Sequence, residues 1–116
     1  MYANMKLGRL IDWLKEQDPK LTVKDGFGGP HSDRGSYDEL AFEPVDEATF
    51  GDMLKYAELA NGSTFTGWKG GLYTMDRSTS VYIGNFGECG YEITPTHFKY
   101  WLLTAKGDEK WETPII

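Results

Sequence analysis

Cysteine is nearly absent from this chain of 116 residues: Cys89 stands alone, so an intrachain disulfide and a Cys-rich zinc module are both excluded. Histidine is almost as scarce. His31 and His97 are the only two, and no His, Cys or carboxylate group has metal-ligand spacing, so neither a metal nor a cofactor is expected. No apolar run approaches the roughly 20 residues of a membrane span, and Met1 to Lys6 lacks the apolar stretch of a signal peptide. A soluble, cytoplasmic protein with no membrane partner is the expectation. Positive charge is also in deficit, with Lys+Arg 12 against Asp+Glu 18 and a net charge of -6, a field that repels long nucleic acid.

What is present is enough for one core. A hydrophobic content of 40% and an aromatic content of 15% exclude disorder, and the length suits a single domain, 1–116. Leu7, Leu10, Ile11 and Leu14 recur at helical spacing and predict an amphipathic helix from about Met5 to Gln17, ended by Asp18-Pro19. Leu21 to Lys24 reads as a short strand. Asp25-Gly-Phe-Gly-Gly-Pro30 then reads as a turn that no regular element tolerates. Glu39 to Glu43 predicts a second strand stopped by Pro44, and Glu47 or Ala48 to Ala60 a second helix, capped by Asp46 or Thr49 and stopped by Asn61-Gly62. Leu72 to Met75, Val81 to Phe86, Tyr91 to Thr94 and Phe98 to Leu103 are β-branched and aromatic runs read as further strands. The expected architecture is α+β, an antiparallel sheet of about five or six strands with two helices packed on one face. Residues 105–116 turn polar and then apolar, either a loose tail or an arm docking on a neighbour.

Two segments carry the chemistry, Ser32-Asp33-Arg34-Gly35-Ser36-Tyr37 and Thr64-Phe65-Thr66-Gly67-Trp68-Lys69-Gly70-Gly71. Arg34 presents a planar fork of donors to phosphate oxygens and Lys69 a point charge, while Gly35 and Gly70 let bare N–H groups approach. Ser32 and Thr66 add hydroxyls, and Tyr37 and Trp68 offer faces for a nucleobase. Together they point to a phosphate-bearing, base-bearing small ligand. The second segment fails as a P-loop, because Trp68 separates glycine from lysine and no Ser or Thr follows. Its bland reading is a hairpin connection, with Trp68 in the core and Lys69 solvated. The bland reading of Arg34 is a surface ion pair with Asp33, Asp38 or Glu39. His31 adjoins the first loop as a hydrogen-bonding group or base, and exposed loop histidines are usually idle. Cys89 is read as structural.

The string from Ser32 to Pro44, followed after a helix by Phe65 to Met75, resembles a family of small proteins from tailed bacteriophages. The opening helix with its Asp-Pro-x-Leu-x-Val continuation and the Val81 to Gly90 strand and turn fit too, so the likeness covers most of 7–93. The resemblance implies phage sponges that capture cyclic nucleotide immune signals of the anti-CBASS type, binding without turnover. In that reading Arg34 and Lys69 neutralise the phosphates of a cyclic dinucleotide. Ser32, Thr66, Gly35 and Gly70 bond the phosphate oxygens, and Tyr37 or Trp68 stacks on a base. Asp33, Ser36 and Trp68 depart from the family's commoner aromatic pattern, and the chain from Pro95 on has no counterpart. A homo-oligomer with sites near its interface is expected, since so small a domain has little interior to spare. The other classes are a phosphodiesterase acting on the same signal and an acidic inhibitor docking on a host defence protein.

Overall fold

In a computed structural model the described residues are 5–34, 37–67 and 69–107. They form three helices, a four-stranded sheet and a two-stranded hairpin, an α+β fold around one hydrophobic cluster. Helix α1 (Leu7–Lys15) buries Leu7, Leu10, Ile11 and Leu14, the stripe its spacing predicts. Its first N–H groups, which no helical carbonyl can satisfy, go instead to the 77–79 loop: Leu7 donates to Thr79 O at 2.8 Å and Gly8 to Arg77 O at 2.9 Å.

Strand β1 (Thr22–Ser32) runs through the glycine-rich stretch that composition reads as a turn. Gly26 serves close packing: a Cβ there would lie 2.8 Å from Ala48 Cβ and 3.1 Å from Met53 Sδ. A register shift between Phe27 and Pro30 absorbs the extra residue as a bulge. Strand β2 (Leu40–Thr49) likewise continues through Pro44. Its second neighbour, β5 (Val81–Ile83), pairs only with Leu40 to Phe42, so from Glu43 onward β2 has an open side and a proline is tolerated.

Helix α2 (Phe50–Ala60) starts where Thr49 accepts from Asp52 N at 3.0 Å, which makes Thr49 rather than Asp46 the cap, and ends at Asn61 and Gly62, whose φ is +84°. The hairpin of β3 (Thr64–Thr66) and β4 (Leu72–Thr74) follows, and together with α2 it forms the crossover to β5. The sheet order is β1-β2-β5-β6, where β6 is Tyr91–Glu92; the β2–β5 pair is parallel and the others antiparallel. The sheet is therefore mixed rather than wholly antiparallel.

Phe98 to Leu103, expected as a strand, is helical: α3 spans Pro95–Thr104. Pro95 occupies the first turn, where a missing N–H costs nothing, and Thr94 N donates to His97 Nδ1 at 3.0 Å. Helix α3 buries Phe98 and Trp101. Trp13 stacks on Phe98 with centroids 4.0 Å apart, and Trp101 lies 5.9 Å from Phe27, so α1, α3 and the sheet share one aromatic cluster that Phe50 of α2 joins edge-on at 5.5 Å. Past α3, Lys106 bridges back to Thr22 through backbone bonds of 2.7 and 2.9 Å, so the C-terminal segment begins docked on β1; 108–116 lie outside the described residues. No described helix is long and apolar enough to cross a membrane.

Candidate functional site

The end of β1, the hairpin β3–β4 and the turn after β5 meet at an open cavity of about 470 Å³. Ser32, Thr66 and Gly70 line it, together with His31, Phe65, Gly67 and Phe86. Gly67 is buried where the two segments touch: a Cβ there would stand 2.7 Å from the Tyr73 ring and 3.1 Å from Tyr37 Cβ. Tyr37 faces Tyr73, with ring centroids 6.4 Å apart, and its carbonyl accepts the Ser32 hydroxyl at 2.6 Å.

The two cations are placed differently from the expectation. Neither Arg34 nor Lys69 is among the described lining residues. Arg34 Nη1 donates to Gly87 O at 2.7 Å, one residue from Phe86, a charge-assisted bond that ties the guanidinium to the 84–90 turn. Lys69 is exposed beside Gly70. Gly35 and Trp68 lie outside the described residues, as does Ser36.

Asp33 is a fastener rather than a ligand group. It is 3% exposed, and its Oδ1 accepts from Gly90 N at 2.9 Å. Three other bonds hold the same 84–90 turn: His31 Nε2 lies 2.8 Å from Gly84 O, Arg34 reaches Gly87, and Phe86 N donates to Glu43 Oε1 at 2.9 Å. The turn also closes tightly on itself, since a Cβ on Gly84 would be 2.6 Å from Gly90 Cα.

His31 is buried, and both of its nitrogens face carbonyls, Nδ1 at 3.0 Å from Ser32 O and Nε2 at 2.8 Å from Gly84 O. Glu43 Oε1 stands 3.5 Å from Nε2. A neutral imidazole carries one N–H and satisfies one of these carbonyls; a protonated ring satisfies both and brings a positive charge to the cavity wall. Neither nitrogen presents a lone pair to the cavity.

Behind the loop, the Tyr82 hydroxyl has its pKa raised by burial and then by its hydrogen bond to Glu39, with Glu92 and Asp33 adding negative charge nearby. Glu39 Oε2 is buried without a hydrogen-bond partner among the described residues. Cys89 is exposed, and no group of three or more His, Cys, Asp or Glu among the described residues is placed to hold a metal ion.

Sequence reasoning missed Phe65, Gly67 and Phe86 as lining residues. The first two stand inside the motif already singled out, and Phe86, 63% exposed, is signalled only by being an aromatic ring next to glycine in a turn. Comparison with family models, with curated proteins and with solved structures returned no match.

Proposed function

We propose that this protein captures a phosphate-bearing nucleotide and holds it without cleaving it, the cyclic dinucleotide being the ligand that the phage-family resemblance implies. The observation that carries the reading is the meeting of Ser32, at the end of β1, with the glycine-containing 65–70 segment, far apart in sequence, at one open cavity. Its wall combines hydroxyls from Ser32 and Thr66, the glycine backbone of Gly67 and Gly70, and the rings of Phe65 and Phe86. Phosphate asks for the first two and a base for the third. Arg34, anchored at the adjacent turn, and Lys69, next to Gly70, supply positive charge at the margin rather than the floor. Binding is favoured over hydrolysis because the imidazole in the wall directs both nitrogens at backbone carbonyls, which leaves neither placed to accept a proton from water. In this reading the protein acts in the host cytoplasm, depletes an immune signal and needs no cofactor. A second copy of the chain closes the open cavity, making the working form a homo-oligomer.

Mixing purified protein with a panel of cyclic nucleotides, then heating and assaying the released ligand, tests this. Recovery of intact ligand after saturable binding supports capture. Cleaved product indicates a phosphodiesterase, and the absence of binding by any member indicates a protein target. Arg34→Ala and Lys69→Ala should each weaken binding about tenfold or more, the effect of losing a charge-assisted contact, and Thr66→Val by less, as a neutral hydrogen bond is worth about 0.5 to 1.5 kcal/mol. Unchanged affinity in all three overturns the site.

A further inference from the structure

A second cavity, of about 410 Å³, opens on another part of the sheet, where β2 has run past its pairing with β5. Strands β1 and β2 contribute Asp25, Val45 and Asp46, β6 contributes Tyr91, and α3 contributes His97 and Tyr100. We infer that this aromatic and acidic cleft binds an organic cation, a methylated alkylammonium group.

The walls select that chemistry. Tyr91 stacks near-parallel on His97, with centroids 6.1 Å apart, and stays 61% exposed, which leaves ring surface open to a ligand. Tyr100 donates to Asp25 Oδ2 at 2.8 Å while the Trp101 indole donates to Asp25 O at 3.0 Å, so the carboxylate is held in place at a residue whose φ of +52° is otherwise unfavourable. Asp46 has no hydrogen bond or ion pair among the described residues and supplies a second negative charge, and no described cation lines the cleft. A divalent metal would require a shell of several oxygens, whereas a methylated ammonium sheds its weak hydration readily and gains from ring faces. The net charge of -6 draws cations toward the surface. None of this depends on the nucleotide reading.

Choline serves as the probe and dimethylbutanol, its uncharged carbon isostere, as the control, titrated into the whole chain while backbone amide shifts are followed by NMR. The expected result is saturable shifts at Asp25, Asp46, Tyr91 and His97, with choline binding about tenfold more tightly than the alcohol. Asp46→Asn, an exposed change that leaves the fold intact, should weaken choline several-fold and leave the alcohol unaltered. A peptide carrying trimethyllysine, run alongside choline, distinguishes a protein side chain from a free metabolite as the source: whichever binds more tightly identifies it. Equal affinity for choline and alcohol, an Asp46→Asn variant that binds choline undiminished, or shifts confined to other residues would each overturn the inference.

Discussion

Asp33 shows how far one residue's role depends on where its backbone goes. Read beside Arg34 it is an unwelcome negative charge in an anion site. In the fold its carboxylate turns inward and accepts the half-buried Gly90 N–H beside the start of β6. Asp33→Asn keeps an acceptor and should change stability little. Asp33→Ala should cost about 1 kcal/mol, the loss of a hydrogen bond to a half-buried donor, measured by urea unfolding. Equal behaviour of the two variants would show that the oxygen is not what the turn needs. The same scale explains which site residues were legible: Ser32, Thr66 and Gly70 belong to compact polar and glycine-containing strings, so their loops are readable, but the direction of a long side chain such as Arg34 depends on an acceptor 53 residues away in the chain.

At the scale of elements, the first two helices were legible because apolar spacing, caps and stop residues agree in α1 and α2. The third was hidden by composition. Phe98 to Leu103 is rich in residues that favour strands, yet Pro95 in the first turn and the burial of Phe98 and Trp101, three apart, are helical signals that outweigh propensity once α1 presents Trp13 to pack against. Strand β1 was hidden for the opposite reason, since its glycines look like a turn, whereas Gly26 makes room for Met53 of α2 and Gly28 for Val45 of β2. The start of α3 also has a pH dependence. Burial holds the His97 pKa below its ordinary value of 6.5, so the unfolded chain takes up this proton first and stability should fall as the pH drops below 6.5, levelling once the folded ring is itself protonated. Protonation also removes the Nδ1 acceptor of the Thr94 N–H. Denaturant midpoints measured from pH 7.5 down to about pH 5 should drop less steeply in His97→Gln, which keeps an acceptor but does not titrate. Identical slopes in the two proteins would remove His97 from the account.

For the whole molecule, the parallel pairing of β2 with β5 is what makes the candidate site composite. The chain must leave the sheet through α2 and the β3–β4 hairpin before it returns, and that excursion carries Thr66 and Gly70 over to Ser32. A ligand bound there joins segments that local sequence keeps apart, so it should stabilise the global fold. At about one hundred times its dissociation constant the gain is about 2.7 kcal/mol, read as a rise in melting temperature that falls to about half in Arg34→Ala and by less in Thr66→Val at the same ligand concentration. The four bonds from the 31–34 segment and Glu43 to the 84–90 turn have a mechanical corollary. The turn ties Arg34 to Phe86, so if the cavity takes a ligand, solvent exchange at the Phe86 and Gly90 amides should slow together when it fills.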